Sequence, residues 1–129
     1  MVEFALVLIP ILLALMGVFD LGRGVFYLHM LSNAVREGAR VGIAPARTAD
    51  EICAQVFAAT RLPDVPRISR CGTSGALAVS VPQRGTPGAV TDPLRVLATY
   101  SFKPVTPLVR PIAGDAITLS ASSTMYVEG

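Results

Sequence analysis

Between Phe4 and Phe19 the chain carries no charged side chain, and only Pro10 and Gly17 interrupt its aliphatic run. A hydrocarbon layer about 30 Å thick needs roughly 20 helical residues at 1.5 Å each, so Val2 to Leu21 is long enough to cross a membrane as one helix. This segment also explains the composition. The apolar share is 52% and the mean hydropathy +0.57, both high for a soluble domain. In a chain of 129 residues, about two thirds is left for a head.

Four residues mark the apolar segment and its end. Glu3 stands at its tip, where an acidic side chain is costly in lipid or in a packed core unless it is partnered. Two readings of Glu3 are open: a headgroup-level residue that suits the positive end of a helix, or one that pairs with a positive group of a neighbouring chain. Pro10 removes a backbone hydrogen bond and crowds the carbonyl of Leu6, so a kink or a loosened turn is expected there. Asp20 and Arg23 are spaced to pair on one face, either to enter a bundle as a neutral unit or to mark the membrane boundary. The sequence opens with Met1, Val2 and Glu3, without a basic region, so a removable secretory signal is not expected.

Helical spacing continues after Asp20 as far as Ala44, because no proline occurs before Pro45. Leu21, Val25, Leu28, Ser32, Val35, Ala39 and Gly42 recur at intervals of three and four, and this stripe is expected to cover a partner surface. Arg23, Arg36, Glu37 and Arg40 are expected on solvated faces. Gly17, Gly22, Gly24, Gly38 and Gly42 each cost up to ~1 kcal/mol relative to alanine inside a helix, so their number points to close backbone approach.

The remainder reads as a β-rich head. Thr48 or Asp50 can cap a short helix through Thr60, with Ile52, Val56 and Phe57 on its apolar face. From Ala76 the period becomes two: Leu77, Val79 and Val81, then Leu94 to Phe102, then Ile117 to Met125 alternate with a more polar face, giving three strands. The segments Pro82–Pro93 and Pro104–Gly114 are rich in turn formers and are expected to be surface loops. The fold class is therefore α+β, a long N-terminal helix packed by its C-terminal half on a small antiparallel sheet of about three strands, with one short extra helix. Residues 1–21 form the membrane or filament-core segment, 22–44 the continuation over the head, and 45–129 the head.

Chemistry is scarce. The net charge of +2 and the scattered eleven Lys and Arg lack the footprint of a nucleic-acid binder. Cys53 and Cys71 lie in the part that would be exported, where a pair forms a disulfide more often than a metal site. Such a bond would stabilise the head by ~3 kcal/mol on the chain-entropy estimate. The sole histidine, His29, falls on the long helix, and Asp64, Asp92 and Asp115 sit beside Pro or Gly in predicted turns. No catalytic residue, metal site or cofactor is expected, and the chain is not expected to be an enzyme.

Two stretches carry a family resemblance. One is Val2-Glu3-Phe4-Ala5-Leu6-Val7 through Pro10 to Gly22-Arg23, followed by Asn33-Ala34-Val35-Arg36-Glu37-Gly38-Ala39-Arg40. The other runs from Tyr100 to Pro107 and from Ile117 to Met125. Here the chain resembles the TadE-like pilins of tight-adherence (type IVc) pili. The resemblance implies processing by a prepilin peptidase, residence in the inner membrane, contact with a pilus assembly platform, and extraction into an extracellular filament of this and other pilins. It implies assembly through Glu3, Phe4, Leu8, Pro10, Leu12, Leu15 and Phe19, with Glu3 neutralising the terminal amine of an adjoining subunit. In this sequence the acid stands third, where the pilin pattern places it fifth. A low-copy minor pilin would share these features, and a membrane-anchored binding domain is the rival of a different class.

Overall fold

The computed structural model describes residues 2–44, 47–86, 92–106 and 114–127. Helix α1 runs unbroken over Val2–Gly42 and contains Pro10 without being ended by it. Glu3 lies in its first turn and Arg40 in its last, each sign opposing the local end of the helix dipole. Helix α2, Ala49–Ala59, is started by Thr48 rather than Asp50. The Glu51 N–H donates to Thr48 Oγ1 at 3.2 Å, and the Thr48 N–H donates to Glu51 Oε2 at 2.8 Å. This reciprocal box satisfies two otherwise orphaned amides. At its other end Thr60 stops the helix by donating both its N–H and its hydroxyl to the Val56 carbonyl.

Four strands make one antiparallel meander: β1 Gly72–Ser74, β2 Leu77–Arg84, β3 Leu94–Phe102 and β4 Ile117–Met125, in spatial order β1-β2-β3-β4. The α+β class holds, with one strand more than expected. β1 has only three residues and no apolar alternation, so the hydrophobic period could not announce it. Its signal is Gly75, whose φ of +60° permits the tight link from Ser74 to its partner Leu77.

β3 is the central strand. Leu94, Val96, Ala98, Tyr100 and Phe102 all point inward and are buried. β4, at the edge, leaves its inward residues Ile117, Leu119, Ala121 and Met125 only half-buried. The expected loop from Pro82 begins later, since Pro82 lies inside β2. The ladder passes from Ser80 opposite Leu97 to Gln83 opposite Arg95, so Val81 and Pro82 together face Val96 as a bulge. A proline without an N–H is tolerated in such a place. Pro87 and Gly88 lie outside the described residues.

The core joins the helices to the sheet. Leu31, Ala34, Val35 and Ala39 of α1 pack with Ile52, Cys53, Val56 and Phe57 of α2 and the inner face of β2 and β3. Gly38 and Gly42 are needed for this: a Cβ on Gly38 would collide with the Val56 side chain, and one on Gly42 with Leu94 and Ile52. The expected stripe is only half correct. Val35, Ala39 and Gly42 are buried, but Leu21, Val25 and Leu28 remain exposed, because an open groove separates them from Phe102, Ile117 and Leu119 of the sheet. Arg23 is likewise not simply solvated. Its guanidinium lies 5.6 Å from the Tyr27 ring centre and 5.8 Å from that of Phe102, in an aromatic contact that seats α1 on β3.

Cys53 and Cys71 form a disulfide with their Cα atoms 5.1 Å apart. It ties α2 to the segment entering β1, and the Cys71 N–H adds a hydrogen bond to Asp50 Oδ1 at 2.9 Å.

Candidate assembly surface

Among the described residues, nothing covers the first half of α1. Phe4 is 72% and Phe19 69% exposed, and Leu8, Leu12 and Leu15 between them are exposed as well. These five follow spacings of four and three, which places them on one side of a helix. Glu3 and Pro10 are also exposed, but their positions put them on another side of the cylinder. The structure therefore brings five of the seven anticipated assembly residues onto one line and leaves two apart. An apolar cylinder of this length in water would be strongly unfavourable, at ~25 cal/mol for each Å² of apolar surface. It is stable only in lipid or against other apolar helices.

The head meets this helix at a clasp that the sequence half disclosed. Asp20 is 4% exposed, and its Oδ2 accepts the Thr106 N–H at 2.6 Å. The Thr106 hydroxyl donates to the Met16 carbonyl at 3.1 Å. Asp20 Oδ1 has no hydrogen bond from the described residues and is balanced by Arg23 Nη1 at 3.6 Å. The predicted Asp20–Arg23 pair is thus present, but it serves to tie the head to its own helix. Thr106 was not anticipated, since Pro104–Gly114 read as a surface loop. In fact Pro104 and Thr106 are buried, because the strand exit folds back onto α1; Pro107 and Pro111 lie outside the described residues. A buried carboxylate without partners would be costly, and the clasp gives Asp20 a hydrogen-bond donor and a neighbouring cation.

Beside the clasp an open apolar groove of about 380 Å³ lies between α1 and the edge of the sheet. Gly17, Leu21, Gly24 and Leu28 form one wall, and Phe102, Pro104, Ile117 and Leu119 line the rest. Among the described residues, Asp20 is the sole charged one on it.

Polar chemistry elsewhere is sparse. His29 is exposed on α1. Asp64 occupies a turn with φ of 57°. Asp92 accepts Gln83 Nε2 at 2.8 Å and the Thr86 hydroxyl at 2.7 Å. These two bonds, that from Gln83 first, hold its carboxyl below the usual carboxylate range. Among the described residues no three His, Cys, Asp or Glu side chains converge as metal ligands would.

Residues 1–40 match the family model described as TadE-like protein. The matched residues are those that carry the apolar line and the helical side of the clasp. No curated protein and no solved structure matches the chain.

Proposed function

We propose that this chain is a pilin-like subunit that polymerises through its apolar N-terminal helix into an extracellular tight-adherence filament. The observation that carries this reading is the uncovered line from Phe4 to Phe19 on a helix whose other half is packed in a head. A helix that served only as an anchor would need apolar character but no built head–helix joint at its outer end. Here the Asp20–Thr106 clasp fixes the helix against the head, so that placing the helices in a bundle also places the heads around it.

On this reading the subunit waits in the inner membrane after a prepilin peptidase has processed it, and an assembly platform extracts it into contact with other copies and other pilins. Glu3, at the tip of α1, neutralises a positive group of an adjoining subunit during that transfer, and Pro10 gives the span a weakened hydrogen-bond ladder. A low-copy minor pilin at a filament end is the second reading. It is supported by the TadE-like match and requires the same helix.

Electron cryo-microscopy of filaments sheared from cells that express the chain separates the two. Helical density that this sequence fits throughout is the expected result. Filaments built from another protein, with this chain confined to an end, would replace the structural-subunit reading with the minor one, and filaments from which it is absent would end both.

A further inference from the structure

α1 carries two apolar lines that face opposite ways. Leu8, Leu12, Leu15 and Phe19 belong to the uncovered line. Gly17, Leu21, Gly24 and Leu28 each stand nine positions after one of them (8 to 17, 12 to 21, 15 to 24, 19 to 28). Nine residues are two and a half turns at 3.6 residues per turn, so the second line lies on the far side of the helix. This second line is the wall of the groove beside Ile117 and Leu119.

The wall has the spacing of a helix-packing seam. Intervals of four and three, as between Gly17, Leu21, Gly24 and Leu28, are those at which one helix accepts another. The same series continues as Leu31, Val35, Gly38 and Gly42, which the head buries. In the buried part the glycines are explained by the chain itself, since side chains of α2 and β3 occupy the space of a Cβ. In the open part they are not. A Cβ on Gly17 would meet nothing within 4 Å, and one on Gly24 only the Phe102 ring edge at 3.8 Å. Glycine at such positions costs the helix up to ~1 kcal/mol each, and it allows a second backbone to come close.

We infer that this groove receives the Phe4–Phe19 helix of a second copy of the chain. The inference rests on the filament reading above and deepens it by naming the receiving surface. The occupant is apolar, because Asp20, the one charged residue among the described ones on the groove, is already held by Thr106 and Arg23. A helix suits it, because Gly17 and Gly24 leave room for a second backbone to come close. The uncharged, exposed first half of α1 meets both conditions and has no other cover among the described residues. The given helix and the receiving groove face opposite ways, so the contact is heterologous. Each subunit inserts into one neighbour and accepts another, an arrangement that extends as an open filament unless rotation closes it.

The test is a photo-reactive benzoylphenylalanine in place of Leu119, in the full chain assembled in cells from a mixture of isotopically heavy and light subunits. Cross-linked peptides from sheared filaments are then identified by mass spectrometry. The expected product joins position 119 of one copy to residues 4–19 of another, with mixed isotope labels. If the filaments contain the chain but every link stays within one subunit, reaches a neighbour's head, or reaches lipid or a different protein, the groove assignment is overturned while the filament reading stands. If the chain is in no filament, the filament reading fails and the groove assignment with it. Gly17→Leu supplies a second readout, since it fills the groove where the single chain has open space. Filament yield should fall by roughly tenfold or more, with membrane insertion and the Cys53–Cys71 bond unchanged. An unaltered yield would count against the groove.

Discussion

Single residues divide here into those that the fold of one chain explains and those that it does not. Gly38 belongs to the first kind. A methyl group there meets the branched Val56 side chain and approaches the Ile52 carbonyl at 3.3 Å, and neither can rotate away. Gly38→Ala should therefore destabilise the head by ~1–3 kcal/mol, the usual cost of overpacking a filled core. Gly22 belongs to the second kind, with nothing within 4 Å of its Cβ position. Gly22→Ala should leave the head unaffected or raise stability by up to ~1 kcal/mol through helix propensity alone. Thermal unfolding of both variants in detergent, followed by near-ultraviolet circular dichroism, checks the contrast. Equal losses at the two positions would mean that Gly22 also has a packing role inside the chain.

At the scale of elements, the second half of α1 is not separable from the head. Leu31, Ala34, Val35 and Ala39 contribute to the same core as α2 and the sheet. Loss of a buried Leu or Val costs ~1–5 kcal/mol each, against a total stability of about 5–15 kcal/mol for a domain. A fragment that starts at Leu21 should fold, and one that starts at Arg47 should not, despite the disulfide that both retain. Dispersed amide signals in the first and collapsed ones in the second are the expected spectra. A folded short fragment would show that the sheet and α2 suffice. The long helix, α2 and three of the strands were legible in the sequence because each has a clear hydrophobic period. The rest was not, for physical reasons. β1 is too short to show a period, and Pro82 disguises a bulged strand as a loop. Thr106 reaches Asp20 across a separation of 86 residues, a contact that no local pattern encodes. Of the seven assembly residues that the resemblance implied, the helix aligns Phe4, Leu8, Leu12, Leu15 and Phe19 and leaves Glu3 and Pro10 on another side. The groove behind that line was hidden, because its far wall comes from Phe102, Pro104, Ile117 and Leu119, which are distant from α1 in the sequence.

For the whole molecule, the consequence of two opposed surfaces is that damage to one leaves the other intact. Phe19→Arg alters the given helix near its outer end, where the long cation can extend out of the membrane, and it leaves the groove whole. Gly17→Leu obstructs the groove and leaves the Phe4–Phe19 line unchanged. Under a heterologous contact neither variant can extend a filament alone, since every junction needs one sound helix and one sound groove. A mixture of the two still allows one junction, between the sound helix of the Gly17→Leu chain and the sound groove of the Phe19→Arg chain. The expected outcome is a cross-linked species of two chains, one of each variant, and no longer ladder. An isologous contact would behave differently, because both partners would offer the same patch and each variant would weaken the mixed pair as much as its own. Filaments from either variant alone would show that the subunits are held by surfaces other than these two. A mixed dimer without further growth would fix the polarity of the filament, with each new subunit inserting its helix in the same sense as the last.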